Sequence, residues 1–215
     1  MSHKVHPKII KIKGIQDWLS RGFYQKNFPQ YLEEDFKIRE YLKKNLPAGS
    51  VANVEIERTQ TVLKVIIKTS RPALVIGRGG QGVNDIKTKL EKLIQKDEKE
   101  KTDIKVDILE IRNPWGSASL VAQWVKGQLE KQVPFRRAMK MALEKVKDNK
   151  EIKGVKIEVS GRLNGVDISR REWIKHGKLP RQTFRADIDY ALHEANCNFG
   201  VIGVKVWLYK GEKFD

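Results

Sequence analysis

Only one cysteine, Cys197, occurs among the 215 residues. A single thiol excludes an intramolecular disulfide and a thiolate metal cluster, and it suits a reducing, cytoplasmic setting. No apolar run approaches the roughly 18 residues that a membrane span requires, and no signal-peptide pattern opens the chain. A membrane is therefore not expected as a partner. Acidic residues are short relative to basic ones: 27 Asp and Glu stand against 43 Lys and Arg, a formal net charge of +16. Self-repulsion of that size calls for a polyanion, and nucleic acid comes before an anionic membrane. Catalytic constellations are missing as well. His176 and His193 have no assembled partners, and Ser160-Gly161-Arg162 lacks the glycine two residues before the serine that a nucleophile elbow needs. His3 and His6 have no further ligand types clustered beside them, so no metal or other cofactor is expected.

At 40% hydrophobic and 33% charged residues the composition is globular, and the length fits one large or two small domains. The most informative stretch is Leu74-Val75-Ile76-Gly77-Arg78-Gly79-Gly80-Gln81-Gly82, with four glycines in six residues. Glycine costs chain entropy, so this density marks backbone that takes positive φ or lets something approach closely. An arginine in the loop and a helical pattern behind it make phosphate the expected visitor.

Around that loop the pattern is helix, strand, strand, short helix, loop, helix, strand. Apolar residues from Tyr31 to Leu46 recur at near-helical spacing until Pro47 and Gly49. Val51–Arg58 and Val62–Thr69 read as strands of an antiparallel hairpin turning at Thr59-Gln60-Thr61. Pro72 suits the first position of a short helical turn. Val83, Ile86, Leu90, Leu93 and Ile94 line one face of the next helix, the charged segment 96–101 closes it, and Ile104, Val106, Ile108 and Ile111 build another strand. Asn113-Pro114-Trp115-Gly116 is a turn and a domain boundary. Two helices follow, ending near Pro134 and beyond Val146, then strands at 155–159, 167–175, 183–192 and 201–209.

Gly77-x-Gly79-x-x-Gly82 matches a dinucleotide fingerprint literally, but antiparallel strands precede it where the first strand of a parallel unit should stand. No Gly-Lys-Ser/Thr completes a Walker loop. The better reading is the Gly-x-x-Gly loop of a KH domain, here Gly77-Arg78-Gly79-Gly80, which sits between two helices and clamps a nucleic-acid backbone. Asp187 and Asp189, two apart on a strand, could form an acid/base or divalent-ion pair, the basis of a rival reading as a lesion endonuclease; Arg181 and Arg185 are the more economical explanation, as their salt-bridge partners. Arg136, Arg137 and Lys140 project within one arc of an amphipathic helix, and Arg170, Arg171, Lys175, Lys178, Arg181 and Arg185 extend the positive surface. Trp173, Trp207 and Tyr209 read as core or edge packing rather than base-stacking platforms.

Five stretches, RPALVIGRGG (71–80), QLEKQVPFRRAMKMAL (128–143), VSGRLNGVDISRREW (159–173), LPRQTFRADIDYALHEA (179–195) and GVIGVKVWLYKGE (200–212), resemble, in order, the bacterial-type family of small-subunit ribosomal protein three. The resemblance implies an α+β chain: a basic arm at 1–15, a type-two KH domain with a preceding helix at 16–112, a C-terminal α/β domain with two helices and a mainly antiparallel four-stranded sheet at 113–211, and a tail at 212–215. It implies a non-enzymatic structural component of the head of the small ribosomal subunit. Gly77, Arg78, Gly79 and Gly80 would bind rRNA, and Arg136, Arg137 and Lys140 would face mRNA at its entrance channel and help to open its structure. Lys4, Lys8, Lys11, Arg162, Arg170, Arg171, Lys178, Arg181 and Arg185 are expected to add rRNA contacts. Small-subunit proteins ten and fourteen are the implied neighbours, with four and five near the channel. The chain departs from the family at Ser2 and at Ile9-Ile10-Lys11-Ile12-Lys13, and Met141 follows Lys140 where a second basic residue is common.

Overall fold

A computed structural model describes residues 5–9, 17–22, 27–47, 49–59, 61–94, 103–180 and 182–214. They form two compact units, one from Trp18 to Arg112, the other from Asn113 onward together with the amino-terminal residues 5–9 and Asp17.

The first unit runs β1 (Ser20–Gly22), α1 (Phe28–Asn45), β2 (Val51–Arg58), β3 (Val62–Thr69), α2 (Pro72–Ile76), α3 (Gln81–Ile94) and β4 (Asp103–Glu110). Its sheet has the order β1-β2-β3-β4. The central pair β2/β3 is antiparallel, closed by Thr59 N–H donating to the Val62 carbonyl at 2.9 Å, while β1 and β4 join in parallel. Val65-Ile66-Ile67 supplies the branched side chains that suit a central strand. In register, Leu63, Val65 and Ile67 lie beside Ile104, Val106 and Ile108. Ile38 and Leu42 of α1, Ile86 and Leu90 of α3 and Val75 of α2 close over this apolar layer. Helix α1 begins three residues before the Tyr31 start expected from periodicity, because Pro29 supplies the fixed φ of a first turn. It is pinned to β2 by a buried cation: Arg58 bonds Glu34 at 2.7 Å and Asp35 at 3.1 Å beneath the Tyr31 ring. The charged segment 96–101 lies outside the described residues.

The second unit contains a short turn at Pro114–Gly116, α4 (Ala118–Glu130), α5 (Phe135–Lys147), β5 (Gly154–Gly161), β6 (Arg170–Gly177), β7 (Ala186–Cys197) and β8 (Gly200–Glu212). The strands form one antiparallel sheet in the order β6-β5-β8-β7. Both helices press on one face, where Val125, Met139 and Ala142 meet Val155, Ile157, Val159, Val204, Val206 and Leu208. Alternation sends Lys156, Glu158, Trp173, Lys175, Tyr190 and Trp207 to the other face. Strand β6 begins at Arg170 rather than 167 because a turn carrying positive φ at Asn164 and Gly165 precedes it. Strand β7 begins at Ala186 rather than 183, since Ala186 N–H closes a turn onto the Thr183 carbonyl at 3.3 Å. The described residues of the amino-terminal arm lie on β7, with Lys8 bonded to Asp189 at 2.8 Å and His6 edge-on to the Tyr190 ring at 4.7 Å.

Among the described residues no helix is long and apolar enough to cross a membrane.

Candidate RNA interface

Helix α2 ends where Gly77 takes φ +72°, and its N–H donates to the Ala73 carbonyl at 3.0 Å. Arg78–Gly80 then make a single tight turn, with Gly79 at φ +62° and Gly80 at φ +80°, before α3 begins. The glycines of this corner serve different ends. A Cβ on Gly82 would sit 2.6 Å from the Val75 carbonyl oxygen and one on Gly77 3.0 Å from the Gly82 nitrogen, so these two let the chain fold back on itself. Around Gly79 and Gly80 nothing lies within 4 Å of a built Cβ. Their bare backbone is open to an outside molecule. Arg78 is exposed and has no ion pair among the described residues. Leu74 and Ile76 beside it are also exposed, at 54% and 39%. An open glycine turn, a free guanidinium and the amino end of a fourteen-residue helix together favour an anionic backbone.

The second candidate surface lies on α5. Phe135, Ala138, Met139, Ala142 and Val146 bury one side of the helix, which fixes the opposite side in space. Arg136, Arg137 and Lys140 are exposed there, as their spacing predicts. No acid occupies the first turn, although the positive end of the helix dipole lies in it. Arg136 is compensated: Nε and Nη2 donate to the two Glu172 oxygens of β6 at 3.1 and 3.2 Å, and Arg170 Nε approaches the same carboxylate at 3.4 Å. Hydrogen bonding by Arg136 pulls the Glu172 carboxyl below its ordinary range, and Glu172 in turn raises the guanidinium. Arg137 and Lys140 make no ion pair among the described residues.

The other cations expected at the interface are not equivalent. Arg170 stands beside Arg136 through their shared Glu172, and Arg171 bonds Glu158 at 3.3 Å on the sheet's opposite face. Lys178 is exposed. Arg162 braces its own turn, donating to Val166 carbonyl at 3.0 Å and Phe199 carbonyl at 3.5 Å and pairing with Asp167 at 3.0 Å. Lys8 is held by Asp189. Arg185 lies over the Phe214 ring at 5.2 Å. Lys4, Lys11 and Arg181 lie outside the described residues.

The two aspartates have partners other than Arg185. Lys213 approaches Asp187 at 3.6 Å, and Asp189 receives Lys8 and the Ala118 N–H, the latter at 2.8 Å. The register shift beside Asp187 skips Lys210 of β8, so β7 keeps its alternation: Ala186 and Ile188 are buried in one cluster, and Asp187 and Asp189 share the other side yet take different cations. Among the described residues no group of three or more His, Cys, Asp or Glu could hold a metal ion. Sequence reading also missed Lys156, a buried ammonium between Trp173 and Trp207 at 5.3 and 4.7 Å; its only signal was its place two residues from Glu158 on one strand face.

A small sheet backed by three helices, with an open glycine corner between the second and third, defines a protein of the type-two KH class. Residues 37–116 match the family model of the KH domain, and residues 125–208 match that of the C-terminal domain of ribosomal protein S3. The chain is 47% identical over 214 residues to small ribosomal subunit protein uS3 of Endomicrobium trichonymphae, covering 100% of this chain and 90% of that one. It is 48% identical over 213 residues to uS3 of Caldicellulosiruptor saccharolyticus, covering 99% and 93%, and 40% identical over 214 residues to uS3c of Guillardia theta, covering 99% and 97%. The chain belongs to the uS3 family of small ribosomal subunit proteins.

Proposed function

We propose that the chain works without catalysis in the cytoplasm, as an RNA-binding component of the small-subunit head, and that its two units meet different RNAs. The glycine corner lays Gly77, Arg78, Gly79 and Gly80 along rRNA. Helix α5 lines the entrance channel for mRNA, where Arg136, Arg137 and Lys140 help to open structured message. Seating beside small-subunit proteins ten and fourteen, with four and five near the channel, belongs to the same reading.

The observation that carries the α5 assignment is the state of its cations: Arg137 and Lys140 stand exposed on a helix anchored by Phe135 and Met139, with no carboxylate of the described residues paired to them. Ammonium and guanidinium groups held rigidly and left without a counterion attract phosphate at little reorganisation cost. The experiment replaces Arg136, Arg137 and Lys140 together by alanine in ribosomes. Small subunits should assemble normally, and translation through a hairpin should slow relative to unstructured message. Equal rates on both messages refute the assignment.

The endonuclease reading loses its support in the pairing of Asp187 with Lys213 and of Asp189 with Lys8 and Ala118 N–H. Metal-dependent RNA or DNA cleavage abolished by Asp187→Asn would restore it.

A further inference from the structure

Trp173 is half exposed, at 51%, in the middle of the edge strand β6 and on the sheet face that the helices leave uncovered. An indole left in water on a well-packed domain asks for an occupant. The ring is not loose. The buried Lys156 ammonium backs it at 5.3 Å and also lies 4.7 Å from Trp207, which packs against Tyr190 at 5.1 Å. Glu158, the residue opposite Trp173 in register, is already bonded by Lys156 and Arg171. Its charge is thereby answered from within the protein. Two residues to either side on the same strand face stand Arg171, 61% exposed, and Lys175, whose ammonium is 5.9 Å from the indole.

We propose that Trp173 is a nucleobase-stacking site for single-stranded RNA, with Arg171 and Lys175 receiving the phosphates on either side of the stacked base. A flat ring pinned from behind loses little conformational freedom when a base settles on it, and cations about two strand residues away fit a backbone running past it. Charge chooses the occupant. An apolar protein partner would leave Arg171 and Lys175 desolvated at the rim of the ring, whereas RNA supplies both the π-face and the anions. The proposal rests on the reading that this unit meets RNA, but on a different sheet face from Arg137 and Lys140.

The test is equilibrium binding of a short labelled oligoadenylate to the full chain across a salt series, in a background carrying Gly79→Asp and Gly80→Asp to silence the glycine corner. Trp173→Ala should weaken binding by between about fivefold and about a hundredfold at every salt concentration. The salt slope should stay constant, because no phosphate contact is lost, and Trp173→Phe should keep most of the affinity. Arg137→Ala with Lys140→Ala should instead flatten the log–log slope by about 0.7 per lost phosphate. Unchanged affinity in Trp173→Ala beside a flattened slope in the helix variant sinks the stacking site and leaves the α5 reading standing. The reverse pattern sinks the α5 reading and keeps the stacking site. Equal binding of an abasic oligomer by the chain that carries only the two glycine-corner substitutions also overturns the proposal. Normal RNA binding by Trp173→Ala with failure to enter small subunits assigns the face to a protein partner and overturns it as well.

Discussion

Arg136 of α5 and Glu172 of β6 are joined by two parallel hydrogen bonds, 3.1 and 3.2 Å long, so the first cation of the helix is fastened to the sheet while its neighbours are not. Replacing the acid separates two roles. Glu172→Gln removes one negative charge from the patch and frees both Arg136 and Arg170. RNA should then bind more tightly, with a steeper salt dependence, since more cations are available to displace counterions. A salt titration of the purified chain measures both. Weaker binding in Glu172→Gln would mean that the carboxylate positions Arg136 for its phosphate rather than restraining it.

The glycine corner predicts a split between binding and stability. Gly79 and Gly80 have open space where a side chain would go, and aspartate tolerates positive φ better than most residues. Gly79→Asp with Gly80→Asp should therefore lower the melting temperature only modestly, through the left-handed φ at both positions, while repelling phosphate and weakening rRNA binding. Gly82→Ala should do the opposite to the fold. Its Cβ would meet the Val75 carbonyl oxygen at 2.6 Å, a backbone atom with nowhere to go. Melting curves and filter binding on the two variants check the contrast, and equal losses of stability would contradict it.

What could be read in advance follows from how far each pattern reaches along the chain. The α2 turn announces itself by Pro72, the corner by its glycines, the β2/β3 hairpin by branched residues around a short turn, and α5 by an apolar stripe with Arg136, Arg137 and Lys140 beside it. All are local signals. Strand β1 had none: three residues, Ser20 to Gly22, become a strand only because β2 offers a free edge. The ion pairs were illegible for the same reason. Asp189 meets Ala118 across 71 residues, and Asp187 finds its cation in Lys213, just past the end of β8. Lys156 and Glu158 alternate like solvent-facing charges yet are buried, since Trp173 and Trp207 from neighbouring strands close over them.

Arg58 makes the KH unit sensitive at one position. Its guanidinium is almost fully buried between Glu34 and Asp35, and removing it strands two carboxylates beside the Tyr31 ring. Losing one partner of a buried ion pair costs about 3–5 kcal/mol. Arg58→Ala should lower the unfolding free energy of this unit by that order, read from its urea midpoint and slope. Asp187→Ala, at a strand end beside the exposed Lys213, should cost far less. A small effect of Arg58→Ala would show that water reaches the pair.

Docking of the amino-terminal arm should depend on pH through His6. Contact with Tyr190 desolvates the imidazole and lowers its pKa, and nearby Lys8 lowers it further, against a smaller opposing pull from Asp189. The undocked arm therefore binds a proton more readily than the docked one. By linkage, docking is fully favoured above the ordinary histidine range near 6.5 and weakens as pH falls through and below it. Hydrogen exchange at residues 5–9 should accelerate, after correction for intrinsic rates, between pH 7 and pH 5. His6→Phe, which keeps an aromatic edge against Tyr190 without a titrating group, should flatten the response. A response that survives in His6→Phe would place the titration elsewhere.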